Sequence, residues 1–353
     1  MSKPTDGENR LSIIVVGAGI AGLAAATALA QKGHSVTILE SKPALNEFGA
    51  SIGILSNGVR VLQSWGLQAE FEKVVTKNKF LEFREGFTNK KLGHLPHNKN
   101  NFADTQYGTE IWNINRRDYQ ETLARAAEAN GAKIIFDAET ASVEVDRCIV
   151  HLADGRELAA DCIIGADGMK SAVRKSIPAT SHVEPKVHEE IAFRCTVPKE
   201  RMRGNSKIEW LLENGNEMMW TVPGRYVLSW PLPENRDYDV VLAIQRPSDV
   251  PAGKWGVRAE LDEATREFQD FCPEIVELLA NVGSAVKWTL AELPPLETCR
   301  SENGRVVLIG DAFHAQIPHI AMVSCHSFTV SVLAAHTGCA GRQLSSRRRS
   351  MPS

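Results

Sequence analysis

Residues 11–26 read LSIIVVGAGIAGLAAA, and this segment carries the strongest structural signal in the chain. Its first half, Ile13 to Val16, is an unbroken run of β-branched residues, which is typical of a strand covered on both faces. Three glycines follow at the spacing G-x-G-x-x-G, and an alanine-rich segment typical of a helix comes next. The segment therefore predicts a β-strand, a glycine turn and an α-helix in that order.

The three glycines have separate roles in a dinucleotide-binding turn. Gly17 permits the tight turn, Gly19 lets the backbone approach a pyrophosphate, and Gly22 allows the helix to pack closely on the strand. The helix N-terminus then offers N–H groups and partial positive charge to the pyrophosphate. A second predicted strand, Ser35 to Leu39, delivers Glu40, where an acidic residue accepts hydrogen bonds from a ribose. An ordinary β-α-β unit with a structural glycine turn is the disfavoured alternative, because strand, helix and acid all fall where the motif requires them.

Composition and charge narrow the class of protein. The chain has 353 residues, 43% hydrophobic and 24% charged, with a net charge of −3, which is typical of a globular protein of one or two domains. This charge gives no reason to expect nucleic acid as a partner, and no apolar run approaches the roughly 18 residues of a membrane span. Residues 1–10 lack the apolar core of a signal peptide, so we expect a cytoplasmic protein. Seven cysteines without a C-x-x-C pair and ten scattered histidines favour reduced, mostly buried thiols and no metal site.

Two further buried strands are predicted to end in acidic turns. Cys162 to Gly165 leads into Asp167-Gly168, and Arg305 to Ile309 leads into Gly310-Asp311. Arg116 begins a predicted helix that stops at Asn130-Gly131.

Residues 187–244 have a different character, with short alternating runs separated by proline and glycine. This pattern predicts a separate antiparallel sheet inserted into the β-α-β protein. The predicted strands are 191–197, 207–212, 218–222, 226–230 and 239–244. One helix is predicted after them, from Asp262 to Ala280.

With these motifs in place, the chain resembles the FAD-dependent aromatic monooxygenases, and most closely the salicylate hydroxylase-like subgroup common in fungi. The resemblance covers about residues 10–322. The family's dinucleotide fingerprint matches Gly17 to Gly22. Its Asp-Gly motif matches Gly165 to Gly168, continuing to Ser171 and Arg174, and its Gly-Asp motif matches Ile309 to His314, continuing to Pro318.

The resemblance implies FAD as the cofactor. In the family, Gly53 lies in a loop beside the flavin, Arg116 reaches the FAD phosphates or the flavin edge, and Asp311 binds the ribityl or pyrophosphate region. The Asp167-Gly168 segment supports both FAD and the incoming nicotinamide. Because the chain has one dinucleotide fingerprint, NADPH or NADH is expected as a transient co-substrate. The implied cofactor-binding residues are Gly17, Gly19, Gly22, Glu40, Gly53, Arg116, Asp167 and Asp311.

Arg194 and Tyr226 are the candidate catalytic residues. Arg194 lies in the middle of an apolar strand, so its charge must be paired or directed into a cavity, and the family has an arginine facing the flavin there. The Tyr226 hydroxyl could reach the same pocket, and the two together could hold and activate a phenolic substrate. The alternative for Tyr226 is a core aromatic with a satisfied hydroxyl.

The predicted fold is α/β, a Rossmann-like FAD-binding domain with an inserted antiparallel-sheet substrate domain. The FAD-binding domain comprises 1–75, 102–180 and 286–322, and the substrate domain comprises 76–101 and 181–285. The predicted reaction is hydroxylation of a phenolic or aromatic small molecule with O2 and NAD(P)H, in fungal secondary metabolism or aromatic degradation. An epoxidase on the same fold and a truncated, non-catalytic relative are the alternatives.

The tail at 323–353 is atypical for the family. After Met322 the family continues with a glycine-rich turn and a long helix, whereas this chain reads Val323-Ser-Cys-His-Ser-Phe. The resemblance therefore implies a truncated C-terminus.

Overall fold

A computed structural model of the protein describes residues 10–45, 51–77, 80–96, 109–232, 237–247 and 257–317. The helices are α1 (Ile20–Gln31), α2 (Ser56–Ser64), α3 (Gln68–Glu72), α4 (Arg116–Ala129), α5 (Ala172–Ser176), α6 (Lys199–Met202), α7 (Glu209–Asn214), α8 (Leu261–Arg266), α9 (Pro273–Ala280) and α10 (Asp311–His314). The strands are β1 (Ser12–Val16), β2 (Ser35–Leu39), β3 (Ser51–Ile54), β4 (Val75–Thr76), β5 (Phe80–Glu85), β6 (Lys91–Pro96), β7 (Trp112–Asn115), β8 (Lys133–Ile135), β9 (Thr140–Glu144), β10 (Ile149–Leu152), β11 (Glu157–Ala159), β12 (Cys162–Gly165), β13 (Lys186–Val197), β14 (Glu217–Val222), β15 (Arg225–Pro231), β16 (Tyr238–Ile244), β17 (Val257–Arg258), β18 (Ser284–Glu292) and β19 (Val306–Leu308).

The chain forms two compact units, each built from separate stretches of sequence. The first comprises Met1–Glu47, Arg117–Pro185 and Leu293–Ser353, and the second comprises Phe48–Arg116 and Lys186–Glu292.

These boundaries differ from the predicted domains. Of the described residues, 51–75, 109–116 and 286–292 group with the antiparallel unit, and 181–185 group with the first unit. The described parts of those stretches contain β3, β4 and β7, which form a three-stranded sheet of their own. Asn113 on β7 also donates a hydrogen bond to the Glu217 carboxylate on β14, which ties this small sheet to the second unit.

The first unit is built on a five-stranded parallel sheet with the order β19-β12-β1-β2-β8. Strands β1 and β2 have almost wholly buried interiors, as the β-branched runs predict. Helix α1 follows β1 and is buried along nearly its whole length. The Rossmann-like part of the predicted fold is thus confirmed.

The second unit contains an eight-stranded sheet with the order β17-β18-β13-β16-β15-β14-β5-β6. Its pairs are antiparallel except for β14 and β5, which run parallel. Alternate residues of β13, including Phe193, Cys195 and Val197, enter a hydrophobic core to which residues of α6 to α9 also belong. The predicted antiparallel sheet is therefore present, with helices on one face.

Two predicted elements are wrong. Residues 207–212 are not a strand, because Ile208 and Leu211 are both fully buried three positions apart, which is helical spacing, and α7 forms there. The single helix predicted from Asp262 to Ala280 is two helices. Pro273 begins α9 and holds Cys272 in an extended conformation, because a residue before proline is disfavoured in the α region.

Among the described residues, no helix is long and apolar enough to cross a membrane.

Three of the five described cysteines are buried and the other two are half-buried. Burial raises the pKa of Cys195 to about 12 and that of Cys272 to about 11.

We expect these two thiols to resist alkylation in the native protein, because the thiolate is the reacting species. Iodoacetamide at pH 8 should modify the half-buried Cys162 and Cys299 before Cys195 and Cys272. Peptide mass spectrometry after timed quenching measures the order. Equal modification of all four before unfolding would contradict the burial described here.

Candidate active site

The sequence motifs of the first unit meet at one edge of the parallel sheet. Across the sheet from β8 to β19, the strands are the third, second, first, fourth and fifth of this sheet in chain order. The strand order therefore runs backwards along the chain as far as β1 and forwards from β12 onwards, although all strands are parallel. In such sheets ligands bind beyond the carboxyl ends of the strands at the point of reversal. Gly17 follows β1, Glu40 follows β2, Asp167 follows β12 and Asp311 follows β19, so all four motifs lie at that edge.

The three glycines of the turn are required for different reasons. A Cβ atom on Gly17 would collide with the carbonyl oxygen of Ala166, and one on Gly22 would collide with the carbonyl oxygen of Gly17. A Cβ atom on Gly19 would meet no described atom within 4 Å. Gly17 and Gly22 are thus needed by the fold itself, whereas the space beside Gly19 is open to a ligand.

The start of α1 suits a phosphate group. Gly19 is its N-cap residue and makes no side-chain capping bond, and the first turn carries no acidic residue. The first N–H groups of an α-helix lack intrahelical partners and attract anions. Open space at Gly19 and uncapped donors together fit the pyrophosphate of a dinucleotide.

Glu40, directly after the neighbouring strand β2, stabilises the glycine turn by hydrogen bonding. Its Oε2 accepts a hydrogen bond from the Ala18 backbone N–H at 2.9 Å, and its Oε1 accepts from the Lys42 N–H at 3.0 Å and the Ser41 hydroxyl at 3.3 Å. A carboxylate can accept about four hydrogen bonds. Glu40 therefore keeps capacity for the ribose hydroxyl that the sequence motif predicts, while also holding the turn.

Asp167 is held by the start of α5. Its carboxylate accepts hydrogen bonds from the Ser171 hydroxyl at 2.5 Å and the Val173 N–H at 3.1 Å. Burial nevertheless raises the pKa of Asp167, and these hydrogen bonds only partly oppose the rise. A raised carboxyl pKa in the folded state means that this group's contribution to stability falls as the pH rises from the ordinary value to the raised one.

Arg174 connects the Asp-Gly and Gly-Asp segments. It is fully buried, and its guanidinium donates to the carbonyl of Met169 at 2.7 Å and to the carbonyl of Ala312 at 3.2 Å. Met169 follows Gly168, and Ala312 lies beside Asp311 on α10. One side chain therefore fixes two edges of the candidate cofactor site. Burial lowers the pKa of Arg174, and the charge of Asp167 opposes that shift.

We expect Arg174→Met to destabilise the protein by about 2–4 kcal/mol, because two buried carbonyls lose hydrogen bonds to a charged donor. Addition of FAD should recover less of the melting temperature than in the wild type. Differential scanning fluorimetry with and without FAD measures both effects.

Lys175→Met is the matched control, since Lys175 lies on the same short helix with an exposed side chain 3.3 Å from Glu184. A loss of stability as large in Lys175→Met as in Arg174→Met would contradict the bridging role.

Two predicted cofactor residues, Gly53 and Arg116, belong to the second unit. Gly53 lies in strand β3 opposite Asn113 of β7, so the predicted loop conformation is wrong. Arg116 begins α4 and is half-buried, whereas its neighbour Arg117 is exposed and pairs with Glu121 at 2.8 Å. This difference in exposure keeps Arg116, rather than Arg117, as the predicted cofactor residue.

The eight-stranded sheet carries the candidate substrate residues on the face opposite its hydrophobic core. We call this the Arg194 face. By the strand register, it comprises Ala192, Arg194 and Thr196 of β13, Tyr226, Leu228 and Trp230 of β15, and Asp239, Val241 and Ala243 of β16.

Arg194 is both paired and stacked. Its Nη2 forms an ion pair with the Asp239 carboxylate. The Asp239 side chain is only 2% exposed, and the Arg194 side chain is 18% exposed. The guanidinium carbon lies 5.7 Å from the centre of the Trp230 ring. Arginine has five N–H donors, and a single one donates to Asp239 among the described contacts. Four donors therefore remain for an acceptor.

Tyr226 contributes a neutral hydroxyl group to the same face. Burial raises the pKa of Tyr226, and the negative charge of Glu190 raises it further. At neutral pH its phenol is protonated, so it can donate or accept a hydrogen bond but does not act as an anionic base.

Comparison with known proteins identifies the family. The FAD binding domain family matches residues 10–322. This chain belongs to that family. FAD-dependent monooxygenase OpS4 of Beauveria bassiana (strain ARSEF 2860) is 27% identical over 312 residues, covering 88% of this chain and 72% of the relative. 3-hydroxybenzoate 6-hydroxylase 1 of Aquipseudomonas alcaligenes is 28% identical over 313 residues, covering 88% of this chain and 76% of the relative.

A solved structure of a salicylate hydroxylase substrate complex has the same fold, with a TM-score of 0.76 at 22% identity, covering 92% of this chain and 79% of that chain. The family match and the named relatives confirm the resemblance to FAD-dependent aromatic monooxygenases. As a member of the FAD binding domain family, the protein is an FAD-dependent oxidoreductase. The open space at Gly19, the uncapped start of α1 and the remaining acceptor capacity of Glu40 all fit that cofactor.

The sequence did not predict two residues that support the candidate site. Gln120 donates its amide N–H to the Ala18 carbonyl at 2.9 Å and thereby supports the glycine turn. It is a polar residue three positions before the apolar Leu123 of α4, and that spacing could have revealed it. Asp239 is the second residue of the apolar strand β16 and pairs with Arg194. An acid at the start of such a strand, opposite an arginine on another strand, is the signal that could have found it.

No group of three or more potential metal ligands occurs within the part of the chain that the structure describes.

Proposed function

We propose that this FAD-dependent oxidoreductase hydroxylates a phenolic or other aromatic small molecule, using O2 and NADPH or NADH. The observation that carries the proposal is the Arg194 face, where an arginine with four remaining donors and a neutral tyrosine lie on one sheet surface. The names of aromatic hydroxylases among the relatives support it. We extend the proposal to an enzyme of secondary metabolism or aromatic degradation, because OpS4 is a fungal relative. We also propose a cytoplasmic location, as residues 1–10 predict.

The spacing of the two candidate residues suits a single ring. Arg194 lies on β13 and Tyr226 on β15, with β16 between them. Their backbones are therefore two strand spacings apart across the sheet, about 10 Å, and two residues apart along the strands, about 7 Å, because Tyr226 lies in the register row of Ala192. Ala192 and Ala243 lie opposite each other in the register row of Tyr226, and the proposal places the ring over these two small side chains.

FAD, once reduced by the nicotinamide, supplies the oxygen-activating chemistry. In the proposal, Arg194 donates hydrogen bonds to the substrate oxygen and stabilises the negative charge that develops on it. Tyr226 orients the same ring through its neutral hydroxyl. Leu228 and Val241, which lie on the same face, limit the access of water to the ring.

The test is product formation by FAD-loaded protein under isotopically labelled O2. A panel of hydroxybenzoates, hydroxybenzamides and other phenols is supplied with NADPH or NADH. We expect substrate-dependent nicotinamide oxidation and a product that carries one labelled oxygen on the aromatic ring. Labelled oxygen recovered only in H2O2 and water, across a broad panel, would count against hydroxylation.

A further inference from the structure

The charge beside Arg194 limits which substrates can bind there. The buried Asp239 carboxylate forms an ion pair with the guanidinium, so the pair has no net charge. An aromatic carboxylate that approached Arg194 would also approach Asp239. The attraction of one and the repulsion of the other would largely cancel, so nothing would offset the cost of removing the ligand carboxylate from water.

Two other charged groups can be placed relative to this face among the described residues. Among the described residues, Arg258 is the other cation in the register row of Arg194, but it is exposed and lies on the edge strand β17, two strands away. The negative charge of Glu190 acts on Tyr226. A carboxylate would therefore meet acidic groups near both Arg194 and Tyr226.

Uncharged acceptors meet a favourable surface. Of the five N–H donors of Arg194, one makes a described hydrogen bond, to Asp239, and four remain. The Nε1 of Trp230 is buried without an acceptor among the described residues, and its ring supports the guanidinium. Donors that are rigid and lack acceptors favour a carbonyl, phenol or ether oxygen.

We propose that the Arg194–Asp239 pair makes this enzyme selective for uncharged aromatic substrates that present a hydrogen-bond-accepting oxygen, and that Asp239 is the residue that rejects aromatic carboxylates. This inference rests on the proposed function. Asp239 acts by repulsion, which is a common route to specificity, and it also positions the guanidinium.

The test compares matched ligand pairs: 2-, 3- and 4-hydroxybenzamide against the corresponding hydroxybenzoates at pH 7.5. Dissociation constants come from the flavin absorbance change in the FAD-loaded protein, and stimulated nicotinamide oxidation is measured in parallel. We expect the wild type to bind the best amide at least about tenfold more tightly than its carboxylate. Asp239→Asn should shift this ratio at least about tenfold towards the carboxylate.

Asp237→Asn is the matched control, since Asp237 lies two residues earlier and its charge acts on Lys199. Val241→Lys provides a second route if Asp239→Asn does not fold, because Val241 lies directly opposite Arg194. It should also shift the ratio towards the carboxylate, whereas Val241→Met should not. Circular dichroism and bound flavin report folding of each variant.

The outcomes separate the two proposals. Amide preference in the wild type, with a shift in folded Asp239→Asn, supports the inference; a shift in Val241→Lys counts as support only where Asp239→Asn does not fold. Carboxylate preference in the wild type, or a ratio that neither folded variant changes, overturns the inference while aromatic binding still supports the proposed function. No binding and no stimulation by any of the six ligands would count against both.

Discussion

Replacing Gly19 with alanine should leave the protein folded and weaken FAD binding by about ten- to a hundredfold. Gly19 has ordinary backbone angles for alanine, φ −71° and ψ 175°, and a Cβ atom there meets no described atom within 4 Å. The added methyl group would instead occupy the space into which the pyrophosphate must come. Forcing one extra carbon into a close contact costs roughly 1–3 kcal/mol, and 1.4 kcal/mol corresponds to a factor of about ten. Fluorescence titration of the apoprotein with FAD measures the change.

Gly22→Ala is the contrasting variant. Its Cβ would collide with the carbonyl oxygen of Gly17 inside the protein, so we expect lost stability even without FAD. Gly19→Ala should keep the wild-type melting temperature of the apoprotein, and Gly22→Ala should not. If a folded Gly19→Ala protein binds FAD with wild-type affinity, the pyrophosphate does not bind at this turn.

The parallel sheet was predictable because its signals are local. The β-branched run of β1, the glycine spacing and Glu40 lie within about 30 residues, and each depends on its own backbone rather than on distant partners. Hydrophobic runs of this kind belong inside a parallel sheet that is covered on both faces, where β1, β2 and β12 lie. The carboxyl ends of the strands consequently gather Gly17, Glu40, Asp167 and Asp311, as the motifs indicate.

The parts that sequence did not reveal depend on long-range contacts. Lys207 to Leu212 contains aromatic and branched residues that suit a strand, but the burial of Ile208 and Leu211 in the core of the second unit selects a helix. Asp239 and Arg194 are 45 positions apart, and only the antiparallel register of β13 and β16 brings them together. Pro318 and the tail at 323–353 lie outside the described residues, so the expectations placed on them stay predictions.

Arg194→Lys should reduce kcat/KM by roughly a hundred- to a thousandfold while leaving the melting temperature nearly unchanged. Lysine keeps the positive charge that Asp239 needs, so the buried carboxylate is not left unpaired. Arg194→Ala is less informative, because an unpaired buried charge destabilises by about 3–5 kcal/mol. Lysine lacks the planar set of donors with which arginine can hold Asp239 and the substrate at once. Loss of one positioned donor lowers kcat by roughly 10²–10³.

The measurement separates a chemical role from a structural one. Arg225→Lys is the matched control, because Arg225 forms a two-point ion pair with Asp270, at 2.8 and 2.7 Å, on the face opposite Arg194. We expect that control to lose a little stability and no activity, since its guanidinium bonds only within the protein. Arg194→Lys should retain bound FAD and continue to consume NAD(P)H, with the electrons released as H2O2 because the substrate is poorly held. Parent rates of product formation in a folded Arg194→Lys enzyme would show that Asp239 is the only partner that Arg194 serves, and the substrate would then have to be held by other residues.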